Sequence, residues 1–153
     1  MWHKYQTMEK IKPACLEKKH YEALSEFRYQ LRRFLHFSET AAKAEGITPL
    51  QYQLLLHVRG FPGRDWANVS ELAERLQLQH HGTVALLSRC EEAGLVNRKK
   101  SEIDRRQVEV HLTRAGARCL ERLAALHHAE LKSLHGTFRV ARITAFNDDD
   151  TSY

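Results

Sequence analysis

The sequence predicts a mainly α-helical fold with one small β-hairpin, and three observations predict it. Apolar residues recur at three- and four-residue steps over residues 21–45 and again beyond residue 113, the period of a helix with one buried stripe. Two capping patterns, Thr48 with Gln51 and Asn68 with Glu71, mark further helix starts. Between residues 95 and 112 the period changes, and Gln107-Val108-Glu109-Val110-His111-Leu112 alternates polar with apolar as a half-buried strand does.

The elements follow in order. Leu24, Phe27, Leu31, Phe34, Leu35 and Ala41 form one stripe of a first long helix, which Gly46 ends. Thr48 as N-cap, Pro49 at the first helical position and Gln51 reaching back start a second helix, from about Pro49 to Val58. The segment GFPGRDWAN, with two glycines and a proline, reads as a loop. Asn68 and Glu71 then start a short helix, SELAERL, with Leu72, Ala73 and Leu76 facing inward. A few residues later another helix runs from His80 to about Ala93, followed by Gly94, the residue type that accepts the left-handed turn past a helix end. Two short helices joined by a tight turn make a helix-turn-helix. LVNRKK and residues 107–112 are the hairpin strands, and SEIDRR is its charged tip. Thr113 caps a last long helix whose stripe is Leu120, Leu123, Ala124, His127, Leu131 and Leu134. There is no internal repeat, and the only biased segment is the acidic tail NDDDTSY.

A length of 153 residues fits one domain. Lys+Arg exceed Asp+Glu by 24 to 19, and a net charge of +5 favours an anionic partner, nucleic acid or membrane surface. Cys15, Cys90 and Cys119 are odd in number and lack CxxC spacing, which argues against a disulfide framework or a four-thiolate zinc site and for reduced cytoplasmic thiols. No stretch approaches the roughly 20 apolar residues of a membrane span. The N-terminus MWHKYQTMEKIKPAC lacks a secretory apolar run, so a cytoplasmic protein is expected. GxSxG, HExxH and P-loop motifs are missing, so neither an enzyme nor a cofactor is expected.

The helix that begins at His80 carries the candidate site. On a helical wheel Leu86, Leu87 and Cys90 cluster on one side with Thr83 and Val84 beside them. His81, Ala85, Ser88 and Glu92 lie opposite, flanked by Gly82 and Arg89. A polar face with small residues suits entry into a DNA major groove, and the helix N-terminus favours phosphate. An outer face can equally be plain solvated surface, but the hairpin shifts the balance. Arg98, Lys99, Lys100, Arg105 and Arg106 stand against Glu102 and Asp104, and a basic hairpin after a helix-turn-helix is a wing whose arginines can reach a minor groove. Asp104 is expected to pair with a neighbouring arginine and orient it. The candidate DNA-facing set is His80, His81, Gly82, Thr83, Ala85, Ser88, Arg89, Arg98, Lys99, Lys100, Asp104, Arg105 and Arg106.

The same residues speak to other chemistries. His80 and His81 point about 100° apart, as do His127 and His128, whereas two ligands of one metal usually sit at i and i+4. No metal is expected, and His127 reads as a hydrogen-bonded core or interface residue. Cys90 and Cys119 read as buried structural thiols rather than redox sensors.

These residues resemble the MarR family of bacterial winged helix-turn-helix transcription regulators. The resemblance rests on ITPLQYQLLLHVRG, VSELAERLQLQHHGTVALLSRCEEAGLVNRKK and DRRQVEVHLTRAG, in order and spacing, over roughly residues 21–135. It implies a winged helix-turn-helix flanked by long dimerisation helices, and a homodimer on a near-palindromic double-stranded DNA operator. It further implies a repressor, released by a small aromatic or lipophilic effector. Arg106 takes the minor-groove role and Asp104 orients it, while Ala85 departs from the longer basic residue of some members. The organisation expected is an N-terminal extension (1–20), a regulator domain (21–135) and a C-terminal tail (136–153). Within the domain the DNA-binding core spans about 48–113, and the dimerisation helices about 21–45 and 114–135. The tail HGTFRVARITAFNDDDTSY departs from the family's last apolar helix, and it is a further candidate for the dimer contact. Phe34, Phe37 and Tyr52 are candidate effector-binding residues, with plain core as the competing assignment. The alternatives are a metal- or redox-sensing regulator of the same fold, or a winged-helix protein-interaction module without DNA binding.

Overall fold

The structure is a computed structural model and describes residues 15–133. The chain forms two compact units, residues 38–128 and, of the described residues, 15–37 with 129–133. The element order is α1 (Lys18–Ala44), α2 (Pro49–Arg59), β1 (Trp66–Asn68), α3 (Val69–Leu76), α4 (His80–Glu92), β2 (Val96–Lys100), β3 (Val108–Leu112) and α5 (Arg114–Ser133). The fold is mainly helical with a small β wing, as the pattern of periods predicts. No helix of the described residues is long and apolar enough to cross a membrane.

Local hydrogen bonding explains where the helices of the 38–128 unit begin. Thr48 Oγ1 accepts from the Gln51 amide at 3.2 Å while Gln51 Oε1 accepts from the Thr48 amide at 2.9 Å. Asn68 and Glu71 repeat the exchange at 2.9 and 2.8 Å at the start of α3. Each exchange satisfies amides that a helix start leaves open. α3 ends at Gln77 in the left-handed conformation, φ 53°. There the Leu78 amide donates to Ala73 O at 3.0 Å, closing the tight turn into α4.

Residues 60–68 are more ordered than the loop the sequence predicts. Their last three form β1, which pairs antiparallel with β3, Ala67 opposite Val110, so the sheet has three strands in the order β1-β3-β2 rather than two. The Arg64 guanidinium holds this segment, lying 4.3 Å from the Phe61 ring centroid and 3.9 Å from that of Trp66 and pairing with Glu71. Cation–π contacts and an ion pair thus anchor a strand too short to stand alone.

The core of this unit draws Leu54, Leu55 and Val58 from α2, Leu72 from α3, Leu87 and Cys90 from α4, Val96 and Val110 from the sheet, and Leu123 from α5. Truncating a side chain so placed, Leu87→Ala for instance, costs about 2–5 kcal/mol. Ala73, expected to face inward with Leu72 and Leu76, is only half-buried. His127 is buried, with Nδ1 2.6 Å from Leu123 O and its ring stacked on Tyr52 at 4.6 Å. It is a hydrogen-bonded core histidine in this unit.

In the other unit, the N-terminal part of α1 presents its apolar stripe outward: Leu24, Phe27, Leu31 and Leu35 are exposed, with Phe34 and Phe37 half-buried. Leu131 of α5 is exposed as well. Leu134, most of the N-terminal extension and the tail 136–153 lie outside the described residues.

Candidate nucleic-acid interface

α4 divides its residues sharply. Thr83, Leu86, Leu87 and Cys90 are buried, while His80, His81, Ala85, Arg89 and Glu92 are exposed and Gly82 and Ser88 half-exposed. The polar face predicted from the wheel is therefore open, and it starts at a helix end unlike those of α2 and α3. The N-cap Gln79 makes no side-chain cap bond, and the first turn holds no acidic residue. Amides there keep their partial positive charge available for an anion.

Thr83 departs from the candidate set. It is 0% exposed, and its hydroxyl donates to Gln79 O at 3.1 Å. A β-branched residue one turn from Leu86 and Leu87 goes with the core face, so Thr83 is a packing residue of α4 and not a group on its outer face.

The wing is built on β2 and β3, with Val96 and Val110 buried and Asn97, Arg98, Lys99 and Lys100 exposed. Its tip is tied by short-range bonds. Ser101 is buried, and its Oγ accepts from the amides of Ile103 (3.3 Å) and Asp104 (3.4 Å). Asp104 Oδ1 accepts from the Arg106 amide at 3.0 Å, and Asp104 O from the Gln107 amide at 2.9 Å. Where the sequence leads one to expect a pair between Asp104 and an arginine side chain, the structure has instead a hydrogen bond from the Arg106 backbone amide. Among the described residues Asp104 makes no ion pair with an arginine, because its carboxylate is turned into the tip. Lys99, Lys100, Arg105 and Arg106 are exposed and, among the described residues, carry no ion pair.

Arg98 behaves differently from these four. Its Nε and Nη2 donate to Glu91 Oε2 at 2.9 and 2.5 Å, its amide faces Glu91 Oε1 at 3.3 Å, and Nη2 reaches Ser88 Oγ at 3.4 Å. The guanidinium hydrogen bonds hold the Glu91 carboxyl below the usual carboxylate range. Sequence reasoning missed Glu91 altogether, since it stands seven residues before Arg98 across the Gly94 turn, where no periodicity links them.

The remaining candidates are not part of the wing. Tyr52 belongs to the core of the 38–128 unit at 3% exposure, and burial pushes its hydroxyl pKa up. Phe34 and Phe37 belong to the other unit. Cys90 is fully buried, and burial pushes its thiol up to about 11. Burial foremost, and then the Glu45 charge, raises Cys119 as well. Cys15 is exposed. No group of three His, Cys, Asp or Glu side chains among the described residues is placed to hold a metal ion.

A helix-turn-helix with an open second helix and a basic hairpin behind it defines the winged helix-turn-helix class. Residues 45–107 match the family model described as MarR family. A protein of Thauera aromatica, described as a transcriptional regulatory protein for the hcr operon, is 32% identical over 96 residues, 63% of this chain and 56% of that one. The chain spans about half the length of the curated relatives it matches. Among solved structures, AbsC, a MarR family transcriptional regulator from Streptomyces coelicolor, superposes with a TM-score of 0.70 at 22% identity, covering 90% of this chain and 93% of that one. A mutant of MepR from Staphylococcus aureus bound to an oligodeoxyribonucleotide superposes with a TM-score of 0.57 at 19% identity, covering 84% and 91%. Over residues 45–107 the chain is thus similar to the MarR family, and the described residues share the fold of solved MarR family structures.

Proposed function

We propose that this chain is a DNA-binding transcription regulator of the cytoplasm, not an enzyme, that binds a near-palindromic operator as a homodimer and represses from it. The observation that carries this reading is the open face of α4, His81, Ala85 and Arg89 on one side of a helix whose other side is core, beside a wing with four exposed cations that carry no ion pair among the described residues. A face that is polar, short of large apolar groups and uncapped at its N-terminus suits the major groove. His81 and Arg89, with Ser88 and Gly82, meet base edges, and His80 meets phosphate. Lys99, Lys100, Arg105 and Arg106 neutralise the flanking backbone, with Arg106 entering the minor groove. The DNA-bound relative among the structural neighbours supports the same use of the fold.

Residues 48–113 form the DNA-binding part in this reading, and helices 21–45 and 114–135 the dimer. Exposed Leu24, Phe27, Leu31 and Leu35 form a stripe that a second copy would cover. A dyad then sets two recognition helices about 34 Å apart, on successive major grooves. A small aromatic or lipophilic effector that releases the operator completes the proposal on family resemblance.

Selection of bound sequences from a random duplex library tests the function. An inverted repeat with half-sites about one helical turn apart is the expected product. Recovery of no common sequence would reject the reading in favour of a protein-interaction module.

A further inference from the structure

The charge that the sequence assigns to the wing is not all available to DNA. Among the described residues, Arg98 alone of the wing's five cations is held by a carboxylate, and that carboxylate belongs to the recognition helix. Glu91 grips Arg98 twice, once through the guanidinium and once through the backbone amide on the outer edge of β2. Val110 of β3 lies opposite Arg98 on the inner edge, so Glu91 occupies the place a further strand would take. Ser88, on the open side of α4, adds a contact to the same guanidinium. One side-chain cluster therefore joins the helix that faces the major groove to the strand that carries the wing.

We infer that Glu91, Arg98 and Ser88 form a clamp that sets the wing against the recognition helix, and that Arg98 is a positioning residue for operator recognition rather than a phosphate contact. The inference rests on the DNA-binding reading above. Its physical basis is that two elements reading one duplex must keep a fixed offset to engage adjacent grooves together. Two guanidinium N–H groups converging on Glu91 Oε2 while Oε1 takes the backbone amide make a charge-assisted contact that fixes both distance and angle. Arg98→Lys would keep the charge and lose the fork. A carboxylate this close to DNA is unfavourable for phosphate binding unless a cation neutralises it, so Glu91 has no value to affinity except through Arg98.

The test compares the duplex that the wild-type chain selects from a random library with a scrambled duplex of the same length, across a salt series. For Glu91→Gln, affinity for the selected duplex should fall on the order of ten-fold, the size of one misplaced base contact. Affinity for the scrambled duplex should stay level or rise, since a negative charge has been removed. For Arg98→Met, selected-duplex affinity should fall similarly with an unchanged salt slope, and the double exchange Glu91→Arg with Arg98→Glu should regain most of the ratio. A drop of about 0.9 in the salt slope for Arg98→Met, with equal losses on both duplexes, would make Arg98 a phosphate contact and overturn the clamp. An unchanged ratio in Glu91→Gln would overturn it too. A wild-type chain that prefers no sequence would instead reject the DNA-binding reading, and the clamp with it.

Discussion

Gly116 lies against the backbone of Leu95 so closely that a Cβ at this position would stand 2.0 Å from Leu95 O and 2.9 Å from its carbonyl carbon. α5 can start there only because the third residue of its first turn has no side chain. The neighbouring bonds hold that approach: the Thr113 amide donates to Leu95 O at 3.0 Å, Thr113 Oγ1 donates to Gly94 O at 2.6 Å and accepts from the Gly116 amide at 2.9 Å. Replacing a helical glycine by alanine ordinarily stabilises by up to about 1 kcal/mol. Here the sign reverses, and Gly116→Ala should destabilise by about 1–3 kcal/mol through overpacking against backbone. A urea unfolding midpoint higher than wild type would contradict this.

Thr83 separates packing from recognition on one helix. Thr83→Val keeps the shape and removes a hydroxyl that donates to Gln79 O, so it should cost about 0.5–1.5 kcal/mol of stability. Affinity for the selected duplex should stay within about two-fold, less than one base contact is worth. A ten-fold loss of binding with unchanged stability would return Thr83 to the DNA-facing set.

The outer face of α4 and the wing should fail in different ways. His81→Ala and Arg89→Ala should change which base is preferred at a half-site position, costing roughly 1–3 kcal/mol on the selected duplex. Arg106→Ala should weaken selected and random duplexes together, because its contacts lie in the wing. Equal losses on both duplexes for His81→Ala, read in a competition assay, would remove His81 from base recognition.

Cys90 gives the fold a pH dependence with a definite sign. Its thiol is pushed from an ordinary 9.0 to about 11, so on raising the pH the unfolded chain loses this proton first. Stability from this group is complete below pH 9 and declines by up to ~1.4 kcal/mol per pH unit between 9 and 11. Subtracting the profile of Cys90→Ala isolates it from Tyr52 and Cys119, whose pKa values are also raised. Parallel profiles for the two proteins would show that Cys90 titrates normally. The same burial predicts that iodoacetamide at neutral pH labels exposed Cys15 well before Cys90.

What the sequence made legible was local. Thr48 with Gln51 and Asn68 with Glu71 announce helix starts through bonds closed within four residues, and Gly46 and Gly94 adopt the positive φ of 78° and 70° that their positions after helices require. The open face of α4 followed from a 3.6-residue period. Contacts between distant parts of the chain stayed hidden. β1 is three residues whose pairing partner lies more than forty positions away, and its anchor, Arg64 between two aromatic rings, leaves no periodic trace. Arg98 reads as one more wing cation until the turn at Gly94 brings Glu91 beside it. Thr83 sits at the border of the wheel, and only the packing of the core decides its side.

The central claim, that the open face of α4 and the wing form a DNA-binding surface, is tested most directly by titrating the full chain with its selected duplex at a series of salt concentrations from about 50 to 200 mM. Log affinity should fall linearly and steeply with log salt, and the slope should shrink by about 0.9 for each wing cation removed that contacts phosphate, beginning with Arg106→Ala. Binding that ignores salt, or a slope unchanged when Lys99, Lys100, Arg105 and Arg106 are all replaced, would contradict it.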